Sequence, residues 1–324
     1  MTAHSSAIHI PASVISTRGL AWAALGVVAF SFTVPFTRVA VGGMSPLFVG
    51  SGRAVIAAAL AAMALACFGR MRPRGMQWLR LALVAGGVVL GFPVLTSFAL
   101  SAAPASHGAV VIALLPAATA MMAVLRAKER PRRSFWILAA AGATAAVVFA
   151  SLHSGGLAGL TSADLLLFAA VVAGAIGYAE GGLLARELGS WQTISWALVL
   201  ASPLMIALTL ISAAGQPPRA SGVEWAAFAY LAGVSMFLGF FAWYRGLAIG
   251  PMAQVSQVQL VQPVLSILWA ALLLHEEVTL ATLFGGCAVI LCAAISVRAR
   301  TTTAPKPAAP PADGKRTAGI AGRA

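Results

Sequence analysis

The amino-acid sequence predicts an all-α membrane protein of ten transmembrane helices, folded as two five-helix repeats inserted with inverted orientation. Three observations predict it. The chain of 324 residues is 60% hydrophobic and only 9% charged, with a mean hydropathy of +0.92, whereas a soluble domain carries about 25% charged residues. Apolar runs recur from end to end, each of about 18 to 25 residues and so long enough to cross a hydrocarbon core of about 30 Å as a helix. Finally, a 32-residue stretch beginning at Ala99 aligns without a gap to one beginning at Gly246, at a constant offset of 147.

The first expected span, residues 20–37, follows a single basic residue, Arg18, and lacks a small-residue cleavage pattern, so it reads as a retained helix, with Pro35 as a kink. The second, 46–67, opens on Pro46 and carries Arg53 within it. The third, 78–100, contains Gly87 and Gly91, whose spacing permits close helix approach. The fourth, 105–125, holds His107 and Pro116 and ends in the basic run RAKERPRR. The fifth covers 134–152. The sixth, 163–185, holds Gly177, Glu180 and Gly181; the seventh covers 191–211. The eighth, 224–244, closes on Trp243 and Tyr244. The ninth, 252–274, carries Gln254, Gln257, Gln259, Gln262 and Pro263, and the tenth covers 280–297. This divides the chain into an N-terminal cytoplasmic segment (1–17), two repeats (18–152 and 163–298), a linker (153–162) and a disordered basic cytoplasmic tail (299–324).

Charge gives the orientation. With the N-terminus inside, the inner segments before the tail hold twelve Lys and Arg residues and the outer segments hold two, Arg38 and Arg219. The net charge of +13 is therefore spent on topology signals and the tail, not on a nucleic-acid-binding face. Cys67, Cys287 and Cys292 fall inside expected spans, which leaves neither a disulfide framework nor a CxxC metal site.

In the repeat, Pro104 falls on Pro251, Pro116 on Pro263 and Glu129 on Glu276. Five spans per repeat is an odd number, so the halves must enter the membrane in opposite senses. The loops agree: RAKERPRR follows the fourth span, while the equivalent HEEV after the ninth has no Lys or Arg. Inverted repeats give two packings of similar energy, one open to each side of a membrane, which is the logic of a carrier.

The pattern small-Leu, three residues, Pro, eleven residues, Pro, twelve residues, Glu occurs in ALSAAPASHGAVVIALLPAATAMMAVLRAKE and again in GLAIGPMAQVSQVQLVQPVLSILWAALLLHE. With AFSFTVPFTRVAVGGMSPLFVGSGRAVIAAAL in the first two spans, it resembles the EamA family of the drug/metabolite transporter superfamily over roughly residues 18 to 298. The resemblance implies a bacterial inner-membrane carrier with both termini cytoplasmic. It implies export of a small metabolite such as an amino acid, through a cavity lined by helices one to four and six to nine.

Several residues could serve such a cavity. Pro116 and Pro263 have no N–H and free the carbonyls of Ile112 and Gln259 mid-span, as kinks or hinges. At 100° per residue Gln254, Gln257 and Gln262 share an arc of about 140°, with Gln259 on the far side; amides offer donor and acceptor together without a buried charge, which suits an amino-acid-like solute. Glue between helices is the competing role. Glu180 is the one carboxylate deep in a span and the candidate for proton coupling, unless it pairs with Arg186 or reaches the interface. Arg53 reads as a structural charge or an anion contact, and by the resemblance as the arginine that family members carry in that helix. His107 aligns with Gln254 and is either packing or cavity lining. Trp243 and Tyr244, beside Arg245, read as an interface anchor or a stacking platform. No HExxH, GxSxG or Walker loop occurs, so an enzyme is the lesser reading, as is a channel. Substrate, bilayer and a coupling proton are the expected partners of a monomer or homodimer, without cofactor or metal. A proton-independent facilitator or an uptake carrier is the alternative.

Overall fold

The computed structural model describes residues 17–68, 72–127, 133–153, 161–249 and 256–301, and these are helical with no strand among them. Seven helices are long and apolar enough to cross a membrane: Thr17–Ala40, Pro46–Cys67, Gln77–Ala102, Ala105–Arg126, Ser162–Leu188, Ser190–Gly215 and Gly222–Ile249. Three shorter apolar helices, Trp136–Phe149, Val258–Leu274 and Leu280–Ile295, occupy the positions of the fifth, ninth and tenth expected spans. Gln254, most of the 153–162 linker, and the terminal segments before 17 and after 301 lie outside the described residues. Large apolar side chains face outward: Leu210 and Ile211 are each 64% exposed, a surface suited to the apolar core of a bilayer.

Helix starts follow their local sequence. Pro46 sits at the first turn of its helix, where a missing N–H costs nothing, and Ser45 Oγ accepts the Phe48 N–H at 3.2 Å. Thr161 with Asp164, and Ser221 with Glu224, form capping boxes at the heads of the sixth and eighth spans.

Five of the spans depart from a regular α-helix partway along. The first breaks at Phe32, between Thr17–Ser31 and Thr33–Ala40. Pro35 supplies no N–H to the Ser31 carbonyl, four residues back, and that carbonyl instead accepts the Ser266 hydroxyl of the ninth span at 2.7 Å, while Trp269 Nε1 donates to Ser31 Oγ at 3.0 Å. The kink is thus fastened from another helix. Ser266→Ala should lower the melting temperature of the purified protein through a loss of about 1 kcal/mol; an unchanged melt would mean the carbonyl finds another donor.

The fourth span parts at Ala113–Leu114, just before Pro116. In the ninth, a 3-10 turn at Ser256–Leu260 precedes Val261–Leu274, which contains Pro263. The third and eighth spans each pass through a π-helical stretch, Ala85–Gly91 and Leu231–Leu238, and the two stretches end 147 residues apart, the offset of the sequence repeat. Such stretches are rare and concentrate at functional sites.

Packing between spans follows one scheme. The first packs on the eighth, the third on the sixth, the second on the seventh, the fourth on the ninth and the fifth on the tenth. Glycine sets the closest crossings: a Cβ on Gly177 would stand 2.6 Å from Val88 Cγ1 and 3.0 Å from the Val88 nitrogen, and one on Gly26 would stand 2.9 Å from the Trp243 nitrogen. The expected close approach at Gly87, Gly91 and Gly177 is therefore present, between the third and sixth spans.

Candidate functional site

The interrupted stretches converge on two adjoining cavities. The larger is lined by Thr33 and Val34 just after the first break, by Arg53, by Val88 and Ser235 of the two π stretches, and by Gln262. Phe30, Tyr178 and Phe240 form its aromatic wall; Phe30 and Phe240 meet edge to face at 4.9 Å between centroids. The smaller lies between Pro116 and Pro263 and shares Val34 and Gln262 with the first.

The polar lining is only partly satisfied. Thr33 and Ser235 hydroxyls bond each other at 2.7 Å. Gln262 Oε1 and both amide atoms of Gln259 are buried with no hydrogen-bond partner among the described residues. Arg53 is 1% exposed; its Nη1 donates to Thr37 Oγ1 at a long 3.5 Å, and Nε and Nη2 have no partner among the described residues. A structural arginine in a membrane helix would be expected to bond carbonyls; among the described residues this one bonds none.

The sequence-derived candidates divide. Gln262, Gln259, Arg53, Pro116 and Pro263 all line the cavities. Gln259 was expected on the far side of its helix; it lines the smaller cavity with Gln262, from which it is only about 60° away at 100° per residue. Gln257 lies in that turn, and Gln254 lies outside the described residues. Pro35 lines neither cavity and acts by making the break. His107 is not on a cavity: its Nε2 meets Asp164 Oδ1 at 2.6 Å and its ring stacks on Phe149.

Trp243 and Tyr244 are 1% and 0% exposed, which overturns the interface-anchor reading. Gly26 lets the Trp243 backbone approach, Gly181 leaves the room that the Tyr244 ring fills, and the Tyr244 hydroxyl donates to the Gly177 carbonyl at 3.2 Å. Neither lines a cavity; Tyr178, against which Trp243 packs, does.

Glu180 does not pair with Arg186. Its two carboxylate oxygens meet Arg80 Nε and, at 2.7 Å, Arg126 Nε, and Arg80 also reaches Glu187. Three spans, the third, fourth and sixth, are tied together there. At the other end of the bundle the Glu276 carboxylate accepts the Ala105 and Ser106 N–H groups, both at 2.8 Å, and so caps the fourth span from the loop after the ninth. Arg38 donates to the Leu100 carbonyl at 2.7 Å and Arg186 to the Leu247 carbonyl at 3.4 Å, and Leu100 and Leu247 are again 147 apart. Sequence reasoning missed Thr33, Ser235, Tyr178 and Arg80.

Apolar spanning helices packed around adjoining cavities with an arginine and two amides in their lining, with polar ties at both ends, define the class: a membrane transporter. Residues 17–151 and 161–298 each match the EamA-like transporter family, and the chain belongs to that family. It is 44% identical over 280 residues to a Bacillus subtilis (strain 168) protein described as "Uncharacterized transporter YdeK", covering 85% of this chain and 95% of the relative. A solved crystal structure 19% identical superposes with a TM-score of 0.61, over 88% of this chain and 99% of the other, and shares the fold.

Proposed function

We propose that this protein is a secondary carrier of the bacterial inner membrane that exports a small metabolite, such as an amino acid, by alternating access. Ten transmembrane helices form two inverted five-helix halves, and both termini face the cytoplasm. One observation carries the reading: the interruptions in the first, third, fourth, eighth and ninth spans converge on two adjoining cavities that share Val34 and Gln262. Irregular backbone inside a membrane is tolerated where it lines a cavity or is buried in protein, and discontinuous helices are how carriers build midplane sites.

The packing scheme supports the inverted repeat. Exchanging the halves turns the 1–8 contact into 6–3 and returns 2–7, 4–9 and 5–10 to themselves. Arg38 on Leu100 and Arg186 on Leu247 supply a matched pair of ties. The contacts also agree with the expected sidedness, since Arg80, Arg126, Glu180 and Glu187 all belong to the cytoplasmic ends of their spans and meet one another.

Glu180 was the sequence's reason for proton coupling. Two guanidiniums now occupy its carboxylate, which favours the proton-independent mode, with Glu180 as a strap across the cytoplasmic end. The test is counterflow in proteoliposomes preloaded with an unlabelled amino-acid pool and supplied with labelled L-phenylalanine. Transient accumulation of label, unaltered by an imposed pH gradient, is expected. Entry without overshoot would mark a channel, and dependence on the gradient would restore proton coupling.

A further inference from the structure

The larger cavity contains one formally charged group, the Arg53 guanidinium, and no acid among its lining residues. Six Asp and Glu residues lie in the described part of the chain, and none lines either cavity. Asp164 is taken by His107 and Thr161, Glu180 and Glu187 by arginines, Glu224 by the Ser221 cap and Glu276 by the head of the fourth span. Glu277 sits in the loop after the ninth span.

A cation 1% exposed, with two of its three guanidinium nitrogens unpartnered among the described residues, is expensive to bury, since charge in a low-dielectric interior needs an opposite charge and a full set of hydrogen bonds. The described residues do not provide them, and a ligand can. We propose that Arg53 is the receptor for a single carboxylate on the transported solute, whose remainder is apolar and lies against Phe30, Tyr178 and Phe240. The planar guanidinium presents Nε and an Nη edge to the two oxygens as a fork. The positive charge is required of the site and no negative one is offered, so an ammonium on the solute is dispensable: it meets only neutral acceptors such as Gln262 Oε1. A monoanion neutralises the cavity, a zwitterion leaves it positive, and a cation is excluded by repulsion. This rests on the carrier reading and sharpens its substrate from amino acid to carboxylate.

The experiment uses the full-length purified protein and three probes on one skeleton: L-phenylalanine, 3-phenylpropanoate, which lacks the amine, and phenethylamine, which lacks the carboxylate. Melting curves should show stabilisation by both carboxylates, 3-phenylpropanoate at least as strongly, and none by phenethylamine. Arg53→Met should weaken carboxylate binding at least about 30-fold, and in the absence of any probe it should melt higher than the parent, because an uncompensated charge has been removed. Stabilisation by phenethylamine equal to that of the carboxylates, or silence from all three probes, overturns the proposal. A ligand-free Arg53→Met that melts lower overturns it too, for it makes the arginine structural. Counterflow persisting with a cationic solute would leave the carrier standing while the carboxylate assignment fails.

Discussion

Removing the Glu180 carboxylate should unlatch the end of the bundle that carries the basic loops. The substitution Glu180→Ala leaves Arg80 and Arg126 facing each other across the space that the acid filled. Breaking a buried pair costs about 3–5 kcal/mol; the carboxylate and Arg80 are buried enough for that range, with side chains 4% and 14% exposed, but Arg126 is 52% exposed and water screens its share. A loss of about 2–3 kcal/mol is the expected result. Every 1.4 kcal/mol by which closure weakens raises the open population about tenfold. In a background with Cys67, Cys287 and Cys292 replaced by serine, a cysteine in place of Met236 on the cavity wall reports that population. A membrane-impermeant maleimide supplied from the basic-loop side should label it at least about tenfold faster in Glu180→Ala. Arg80→Ala should approach that effect because it severs both Glu180 and Glu187, and Arg126→Ala should fall well short. Equal labelling in all four proteins would show that the ion pairs do not hold the closed form.

The largest effect on folding should come from one methyl group. A Cβ on Gly87 would sit 2.8 Å from the Gly177 nitrogen and 2.9 Å from its Cα, and still nearer the Ala173 carbonyl, all backbone atoms that no rotamer change can move aside. Gly87→Ala therefore forces the third and sixth spans apart and should cost about 3 kcal/mol, the upper part of the range for overpacking. Its neighbour is the control. A Cβ on Gly86, in the same π stretch, meets nothing within 4 Å, so Gly86→Ala should melt with the parent or slightly above it. Thermal unfolding followed by fluorescence-detected size exclusion separates the two, and similar melting of both variants would mean that the crossing is looser than its glycines imply.

Hydropathy made the helices legible, because the bilayer imposes length and polarity on each segment independently of the others. The second span was read as 46–67 and is Pro46–Cys67. The site was legible only where a residue's chemistry was out of place in an apolar run, as with Gln262, Arg53 and the two mid-span prolines. Thr33, Ser235 and Tyr178 are ordinary in any membrane helix, and only packing brings them to the cavity. The partners of Glu180 are 100 and 54 residues away, beyond any periodicity, whereas the guess from local sequence was the nearest arginine. Trp243 and Tyr244 were misread for a related reason: an aromatic pair beside a basic residue fits the interface, but glycines on neighbouring helices clear space for the pair, Gly26 for the Trp243 backbone and Gly181 for the Tyr244 ring. The π stretches leave one trace, Ala85–Gly86 and Ala232–Gly233 at the repeat offset, which gains meaning only once the helices are seen to widen there.

The two matched segments supply unlike things to the space between them. The first contributes the lone cation, Arg53, and the second both amides, Gln259 and Gln262. A cavity assembled from two copies of the first segment would confront two guanidiniums, and one assembled from two copies of the second would hold none. Two identical segments therefore could not form this lining; the two are unequal partners in it. Cut apart, they would have to be made in equal numbers to restore it.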